Sequence, residues 1–435
     1  DDRVSRGLGD VYKRQEIKVG ICGWGNVATG LYKAVNANKK IIERNTNLDI
    51  KINFIGARRD NPNCDPQGTL VLRDIFDVVS QDVDVVIELI GGVETARELI
   101  LAAIKNKKHV ITANKAVIFN HGDELFKAAR DNNVKILFEA AVCAGTPIIK
   151  VLQEELAGNN ISKISGMLNG TTNFILAEME KGEDFEPTLK IAQEKGYAEP
   201  DPSFDIDGID AAHKIGILSH IAHGTPLPPK DFYIEGITQI TGDDFQHAKE
   251  LGYVIKHLAV AKQDFNTVEL RAHPAFIKNT SILSSLQGVR NGIEIDTDLI
   301  GKIHITGSGA GQESTASGLI SDIIHLAGSN KDNAEEISKS SNEIEIAEFS
   351  QISFQHYFYL EVDDNPGVMA LITSLVASHN IGIETIIQKD ELADNLVPVF
   401  FITDLCEELK AKEILNKFKN TDVIKKVKRI RVEAD

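Results

Sequence analysis

The sequence predicts an α/β protein that begins with a doubly wound parallel sheet and continues into two α+β regions. Three observations support this fold class. The chain has 435 residues, which is long for one ordinary domain and suits two or three. Its first third alternates short apolar runs with amphipathic stretches, and residues 351–435 follow the order βαββαβ.

Residues 16–150 carry the strand pattern of the first region. Each run is apolar along its length and lies between helical or turn-rich segments, which is typical of parallel strands that are buried on both faces. The predicted strands are Ile17–Cys22, Ile50–Gly56, Val83–Leu89, His109–Thr112 and Lys135–Phe138. This alternation of strands and helices indicates a Rossmann-type domain.

Residues 151–327 mix helical periodicity with extended runs and predict an α+β domain. Within it, residues 300–327 contain a glycine-rich turn and a helix, which we expect to pack back on the first domain. Residues 328–350 are rich in Ser, Asn, Asp and Glu, and we interpret them as a linker. Residues 351–435 are predicted to form a ferredoxin-like domain.

Composition and charge exclude several classes of function. The formal net charge is −17, so the chain as a whole repels nucleic acid and anionic membranes. No apolar run approaches the roughly 18 residues of a membrane-spanning helix. The four cysteines are scattered, which favours reduced thiols in a cytosol over disulfides or a zinc site. Residues 1–15 are polar and aperiodic, and we interpret them as a leader foreign to the fold.

A glycine-rich turn follows the first predicted strand. Gly23 permits a tight turn, Gly25 lets main-chain N–H groups approach a pyrophosphate, and the small Ala28 allows the helix to pack on the strand. With Asn26 and Val27 they read GWGNVA, a GxGxxA pattern between a strand and a helix. This context predicts binding of a dinucleotide, and a purely structural turn is the alternative.

The end of the second predicted strand bears on which dinucleotide is bound. A carboxylate there would bind the ribose hydroxyls of NAD, whereas an arginine suits the 2′-phosphate of NADP. This chain has Arg58 and Arg59 at that point. They favour NADP slightly over NAD, and solvated loop charges are the alternative.

Two polar stretches follow later strands of the same predicted sheet. Gly91 and Gly92 come after the third strand, and Lys115 comes after the fourth. Ligands bind at the carboxyl ends of the strands in open α/β sheets, so both stretches are candidates for contact with the cofactor. For Lys115, an ordinary surface position is the alternative.

A further candidate is a group of carboxylates around one lysine. Glu199, Asp205 and Asp210 precede Lys214. Asp210 and Lys214 are four residues apart and face the same side of a helix, so a surface ion pair worth roughly 0.2–0.5 kcal/mol is one explanation. The other is a buried lysine that passes a proton to or from a substrate oxygen.

Taken together, these stretches closely resemble the homoserine dehydrogenase family. The matching segments read IELIGGVETARELILAAI, KHVITANKAV, FEAAVCAGTPIIK, GMLNGTTNFIL, AQEKGYAEPDPSFDIDGIDAAHK and YIEGI. The resemblance implies the reversible oxidation of L-homoserine to L-aspartate 4-semialdehyde with NAD(P)⁺, a step of threonine and methionine biosynthesis.

The resemblance also implies roles for individual residues. Lys214 corresponds to the family's proton donor to the aldehyde oxygen. Lys115 corresponds to a lysine beside the cofactor and the substrate. Glu199 corresponds to the glutamate that binds the substrate amino group, and Asp205 and Asp210 line the same pocket.

The family holds a monovalent cation, usually sodium, in the segment that matches FEAAVCAGTP. By resemblance, Glu139 supplies its carboxylate, and the main-chain carbonyls of Val142, Ala144 and Thr146 supply the other ligands. Gly309 falls in the glycine turn that the family places near the nicotinamide.

The start of the last region resembles an ACT domain, whose first loop binds an amino acid at a dimer interface. Asp364, Asn365 and Gly367 are the expected contacts, and a helix cap by Asp364 or Asn365 is the alternative. We expect inhibition by an end-product amino acid. Removal of residues 351–435 should then leave activity but abolish inhibition.

These interpretations predict a cytoplasmic enzyme that assembles as a homodimer or homotetramer. Its expected partners are homoserine, aspartate semialdehyde and the regulatory amino acid, without nucleic acid or membrane. Two alternatives remain from the sequence. One is another Rossmann-type amino-acid oxidoreductase, and the other is a non-catalytic ACT amino-acid sensor.

Overall fold

The structure is a computed structural model that describes residues 14–230, 232–328, 344–392 and 395–433. These residues form two compact units. Unit 1 consists of residues 14–157 and 308–328, and unit 2 of residues 158–307 and 344–433.

The strands, in chain order, are β1 Gln15–Cys22, β2 Leu48–Gly56, β3 Leu70–Leu72, β4 Val85–Glu88, β5 His109–Thr112, β6 Ile136–Leu137, β7 Ile161–Met167, β8 Tyr233–Ile234, β9 Tyr253–Asp264, β10 Thr267–Lys278, β11 Arg290–Thr297, β12 Gly301–Ser308, β13 Glu345–Ile346, β14 Ser353–Asp363, β15 Ile383–Gln388, β16 Leu396–Thr403, β17 Cys406–Glu407 and β18 Ile424–Val432. The helices are α1 Asn26–Thr46, α2 Glu94–Lys105, α3 Lys115–Asn132, α4 Gly170–Met179, α5 Phe185–Glu194, α6 Ser203–Ile206, α7 Ile209–His223, α8 Gly242–Glu250, α9 Gln312–Gly328, α10 Val368–Ser378 and α11 Glu408–Lys419.

The strands of unit 1 form a parallel sheet in the order β3-β2-β1-β4-β5-β6. This is the strand order of a doubly wound dinucleotide-binding fold, so the predicted fold class of this region is confirmed. Strand β3 was not predicted, because three residues are too few to give a periodic pattern.

Helix α9 completes the core of unit 1 from a distant part of the chain. Its residues Leu319 and Ile323 are fully buried in the same apolar cluster as Leu31 of α1. A side chain on Gly30 would lie 2.9 Å from the main-chain oxygen of Gln312, so the two helices approach closely where α1 carries a glycine.

The first strand begins one residue earlier than the predicted leader allows. Gln15 pairs with Leu48 of β2, so it is part of the sheet and its assignment to the leader is wrong. Arg14 forms an ion pair with α1 at 2.9 Å. The remaining leader residues, 1–13, lie outside the described residues.

Unit 2 is built on one sheet in the order β12-β11-β7-β9-β10-β18-β14-β16-β15. Helices α4, α7 and α8 pack against its β9 strand. The C-terminal part runs β14-α10-β15-β16-α11-β18, and its strands lie in the order β18-β14-β16-β15. This is the ferredoxin-like arrangement that the sequence predicted.

The ferredoxin-like region shares both its sheet and a core with the rest of unit 2. Strand β18 pairs in parallel with β10 at Phe276↔Val432. One face of its sheet packs on α10 and α11. On the other face, Tyr357 and Phe400 lie in the same buried cluster as Phe174 and Phe245. Removal of residues 351–435 would therefore expose part of the core of unit 2, which argues against the expectation that the rest of the chain stays active without them.

The predicted linker, 328–350, is partly built into unit 2. Residues 329–343 lie outside the described residues. Strand β13 pairs in parallel with Thr267 and Val268 of β10. The ring of Phe349 stacks on that of Tyr233 with centroids 3.9 Å apart. The end of the predicted linker is thus fixed structure.

Two features of the described residues bear on the class of protein. None of their helices is long and apolar enough to cross a membrane. The four cysteines are buried and carry free thiols, as the scattered spacing predicted.

Candidate active site

The glycine loop of unit 1 leaves the start of α1 open. Gly23 has φ +106°, and a side chain there would lie 2.5 Å from the main-chain oxygen of Leu89. Gly25 is the N-cap of α1, and a side chain on it would meet nothing within 4 Å. No side chain caps α1 and no acidic residue lies in its first turn. Its first N–H groups can therefore bind an anion.

A cleft of about 560 Å³ lies at this loop. Among the residues that line it are Gly23, Gly25, Arg58, Arg59 and Gly91. It lies between the carboxyl ends of β1 and β4, where the strand order reverses and where ligands bind in open α/β sheets. The other predicted cofactor residues, which do not line this cleft, are Asn26, Val27, Gly92, Lys115 and Gly309.

A buried carboxylate organises the two neighbouring strand ends. Glu88 is fully buried and accepts hydrogen bonds from Thr112 Oγ1 at 2.6 Å and from the N–H of Ile90 at 2.9 Å. Burial raises its pKa, and these hydrogen bonds oppose the shift. Asn114 donates to the main-chain oxygen of Gly92 at 2.7 Å. Lys115, the first residue of α3 and half-buried, follows directly.

In unit 2, Lys214 lies at the centre of a buried polar cluster. Its ammonium group donates to Asp210 Oδ2 at 2.7 Å and to the main-chain oxygen of Leu168 at 2.6 Å. Asn169 donates to Asp210 Oδ2 at 2.8 Å and to Asp205 Oδ1 at 2.7 Å. Lys214 is 7% exposed and Asp210 is 4% exposed, so the explanation as a surface ion pair is wrong.

In this cluster the ammonium group of Lys214 has two hydrogen-bond acceptors and lies near a carboxylate, Asp205, that is hard to ionise. Both acceptors of the Lys214 ammonium group stabilise its protonated form. Burial, and then the charge of Asp210, raise the pKa of Asp205, and the hydrogen bond from Asn169 opposes this shift. The arrangement can hold a substrate ammonium group and can exchange a proton with a substrate oxygen.

The structure does not bring Glu199 into this cluster. The residue is exposed, and among the described residues its carboxylate has no hydrogen bond or ion pair. Its main-chain oxygen accepts from Gln193 at 3.2 Å. The turn that carries it is tied to α4, because Thr171 Oγ1 donates to the main-chain oxygen of Tyr197 at 2.7 Å.

Two asparagines were missed by the sequence analysis. Asn169 bridges both aspartates and also caps α4, since its Oδ1 accepts from the N–H of Thr172 at 2.7 Å. Asn291 is fully buried and donates to the same Leu168 oxygen as Lys214, at 3.0 Å. The only signal for Asn169 was its position before a helix, which predicts a cap and not a bridge. Asn291 lies in β11, which gave no recognisable pattern.

The carboxylate of Glu139, which was predicted to bind the cation, accepts main-chain hydrogen bonds. Glu139 is buried and accepts from the main-chain N–H groups of Ile148, Ile149 and Lys150 at 2.7–3.0 Å. It thereby caps the helical turn that begins there. Its role as the carboxylate ligand of the cation stays a prediction. Among the described residues, no cluster of His, Cys, Asp and Glu suits a metal.

The main-chain oxygens predicted for the cation remain candidates. Of the hydrogen bonds found in the described residues, none is accepted by the carbonyls of Val142, Ala144 or Thr146. All three residues are buried. Buried carbonyl groups without a donor are suited to a hard cation.

The predicted regulatory loop lies at the start of α10. Gly367 is the N-cap with φ +95°, and no side chain caps the helix. Asp364 and Asn365 are exposed. The alternative, in which one of these two side chains caps α10, is therefore wrong.

The protein is an NAD(P)-dependent oxidoreductase that acts on a CH–OH group. Its parallel sheet with an open glycine loop and its buried lysine–carboxylate cluster suit this class. Residues 23–139 match the family model "Homoserine dehydrogenase, NAD binding domain", and residues 147–324 match the model "Homoserine dehydrogenase". The chain belongs to the homoserine dehydrogenase family.

Individual relatives cover nearly the whole chain. A homoserine dehydrogenase from Pseudomonas aeruginosa is 40% identical over 96% of this chain and 99% of its own length. One from Neisseria gonorrhoeae is 37% identical, with the same coverage. The crystal structure of a homoserine dehydrogenase from Thiobacillus denitrificans has a TM-score of 0.89 and 37% identity over 96% of this chain and 98% of that one. These likenesses disfavour both alternatives left open by the sequence.

Proposed function

We propose that the chain catalyses the reversible oxidation of L-homoserine to L-aspartate 4-semialdehyde, with Lys214 as the group that transfers the proton. The observation that carries this proposal is the buried Lys214–Asp210 pair, bridged by Asn169 to Asp205. A protonated lysine held by a carboxylate can donate to the oxygen of an aldehyde as negative charge develops on it.

The reaction needs two groups held in a fixed relation to the substrate. A bound nicotinamide supplies the hydride acceptor or donor. In the reductive direction Lys214 gives its proton to the developing alkoxide, and in the oxidative direction it takes the proton back. Asp210 keeps the amine in place between these states.

The carboxylates next to the lysine suit the ammonium group of the substrate. Asp205 lies 2.7 Å from the bridging amide of Asn169 and is half-buried. We assign it, with Asp210, to the substrate pocket. We assign Glu199 to the amino group as well, on the family resemblance alone; its carboxylate is exposed and has no hydrogen bond or ion pair among the described residues.

The cleft of unit 1 suits a dinucleotide. Its glycine loop offers uncapped N–H groups for the pyrophosphate. Arg58 lines the cleft beyond β2, where it suits a 2′-phosphate, so we propose that NADP is preferred over NAD. The structure of a hyperthermophilic archaeal homoserine dehydrogenase in complex with NADPH has 27% identity and a TM-score of 0.61 to this chain. The remaining residues assigned to the cofactor are Asn26, Val27, Gly92, Lys115 and Gly309.

A monovalent cation, sodium by resemblance, is proposed at the carbonyl oxygens of Val142, Ala144 and Thr146. The support is that these buried oxygens accept no hydrogen bond in the described residues. We assign the carboxylate of Glu139 to the same cation on the family resemblance, and this carboxylate also caps the adjacent helical turn.

We further propose that a pathway end-product amino acid binds at Asp364, Asn365 and Gly367 and inhibits the enzyme. The uncapped start of α10 offers N–H groups for a carboxylate, and Asp364 offers an acceptor for an ammonium group. Assembly as a homodimer or homotetramer in the cytoplasm belongs to the same proposal.

A spectrophotometric assay tests the proposed reaction. The full chain is mixed with homoserine, or with other amino-acid alcohols, and with NAD⁺ or NADP⁺, and reduction is followed at the nicotinamide absorption band. We expect turnover of homoserine, faster with NADP⁺, and lower rates when threonine is added. Turnover of a different alcohol in place of homoserine, or ligand binding without any turnover, would contradict the proposal.

A further inference from the structure

A second set of buried charges lies in unit 2, at the seam between β10 and β18. Arg431 of β18 is 3% exposed. Its guanidinium donates to both carboxylate oxygens of Glu408, at 2.7 and 3.0 Å. Its third contact is Glu235 Oε2 at 2.6 Å. Arg431 therefore ties the C-terminal strand to a segment that precedes α8.

Glu235 lies in the short segment Tyr233–Ile237, which reads YIEGI. Tyr233 donates its hydroxyl to the same Glu235 oxygen at 2.6 Å. The guanidinium of Arg431 lies 4.4 Å from the centre of the Tyr233 ring. Two donors thus hold the carboxylate of Glu235, and the Tyr233 ring packs against one of them, the guanidinium of Arg431. No step of the proposed reaction uses this carboxylate.

The same segment packs directly on the turn between α6 and α7. The N–H of Ile237 donates to the main-chain oxygen of Ile206 at 2.9 Å. A side chain on Gly236 would lie 2.7 Å from the Cα of Asp207, so the two backbones touch with no room for a side chain. His257 donates from Nε2 to the main-chain oxygen of Glu235 at 2.9 Å.

That turn sets the position of the substrate carboxylates. Asp205 immediately precedes it, and Asp210 follows it in the first turn of α7. Gly208, the N-cap of α7, has φ +83°, and a side chain on it would lie 3.1 Å from the main-chain oxygen of Glu235. A shift of Glu235 would therefore be transmitted to both aspartates through main-chain contacts.

We propose that Glu235 is a positioning residue for the substrate site, held in place by Arg431 of the C-terminal strand. The inference rests on the proposed roles of Asp205, Asp210 and Lys214. The proposal makes the affinity for homoserine depend on the ferredoxin-like region, because Arg431 lies on β18. This strand begins at Ile424, which lies beside the end of β14.

The test compares Glu235→Gln and Arg431→Lys in the full chain. We expect the KM for homoserine to rise roughly tenfold in each, since tenfold corresponds to about 1.4 kcal/mol, near the contribution of one charge-assisted hydrogen bond. The KM for the cofactor should not change. The KM for homoserine of the double variant should be no higher than that of the poorer single variant, because both changes break the same contact, between Arg431 and Glu235.

Glu433→Gln is the matched control. Glu433 is 8% exposed, follows β18 directly and forms an ion pair with the buried Arg271 at 2.9 Å, but it does not contact Tyr233–Ile237. Its loss should lower the melting temperature without a selective rise in the KM for homoserine. An equal rise in this control, or an unchanged KM in Glu235→Gln and Arg431→Lys, overturns the proposal. If Glu235→Gln does not fold, the KM for homoserine of the milder variant, Arg431→Lys, decides the test. Failure of the proposed reaction itself would appear as a lack of homoserine turnover by the wild-type chain.

Discussion

The glycine-loop cleft of unit 1 and the buried cluster around Lys214 in unit 2 are built in opposite ways. The cleft is formed by backbone: Gly23 and Gly25 keep side chains away, and the start of α1 is left uncapped. The cluster is formed by side chains: Lys214, Asp210 and Asn169 are each less than 10% exposed and hydrogen-bonded to one another.

This difference decides how each site responds to change. A backbone site tolerates most substitutions nearby and loses only the contact that is removed. In a buried polar cluster, the removal of one partner leaves the others without a hydrogen bond in a medium of low dielectric constant. Variants within the cluster around Lys214 should therefore have larger effects than variants at the cleft.

The largest effect is expected from deletion of residues 351–435. The deletion exposes Phe276, Phe174 and Phe245, which share a core with the deleted strands. Burial of such side chains contributes roughly 1.5–3 kcal/mol each, and the whole free energy of unfolding of a domain is only about 5–15 kcal/mol. We expect aggregated, inactive protein. Deletion of residues 1–13, the predicted leader, is the control and should leave activity intact.

A smaller but still large effect is expected from Asn169→Ala. Asp205 and Asp210 lose their shared donor, and unsatisfied buried groups cost about 1–3 kcal/mol each, so kcat/KM for homoserine should fall roughly 100-fold. The control is Asn173→Ala, in the helix that Asn169 caps; the buried amide of Asn173 donates to the main-chain oxygen of Gly288 at 2.8 Å. Steady-state kinetics on both variants separate them, and an equal loss would contradict the bridging role.

At the cleft, Arg58→Ala should act on one cofactor only. Removal of one arginine from a 2′-phosphate should raise the KM for NADP⁺ about tenfold and leave that for NAD⁺ unchanged. Arg44→Ala, an exposed arginine at the end of α1, serves as the control. An equal change for both cofactors would show that Arg58 does not distinguish them.

The smallest effect at neutral pH is expected from His223→Gln at the end of α7. Burial lowers the pKa of His223 to about 4, below its usual 6.5, and its Nε2 donates to the main-chain oxygen of Ile161 at 3.0 Å. The unfolded chain binds a proton more readily, so this contribution to stability is complete above pH 6.5 and is lost as the pH falls through about 4.

Glutamine keeps a donor but cannot be charged. Wild type and variant should have similar melting temperatures at pH 7.5, and the wild type should lose up to about 3 kcal/mol relative to the variant on acidification. A constant difference in melting temperature from pH 7 to pH 4 would contradict the shift.

The contrast between a site built from backbone and a site built from side chains also explains how much of each the sequence predicts. The glycine loop, its flanking strand and helix, and the carboxyl ends of β4 and β5 follow from local pattern, so the cleft could be located. Spacing along a helix placed Asp210 beside Lys214 but left their burial open. Asn169 and Asn291 act through contacts across 41 and 123 residues of sequence, which no local pattern encodes.

The hydrogen bonds of Glu139 and the extent of the linker were not predicted for a related reason. Glu139 was assigned by family resemblance, which does not predict that three main-chain N–H groups from the next turn donate to its carboxylate. The composition of residues 328–350 indicated a linker, but β13 adds to the edge of a sheet, and that contact depends on distant residues.

The most direct test of the account is the comparison of Lys214→Met with the wild type in two measurements on the same protein. Homoserine oxidation is followed at the nicotinamide absorption band, and NADPH binding is followed by its fluorescence. The account predicts that kcat falls roughly 10³-fold, the usual contribution of a positioned proton-transfer group, while the Kd for NADPH is unchanged. A kcat within about threefold of the wild type would remove Lys214 from the reaction and contradict the account.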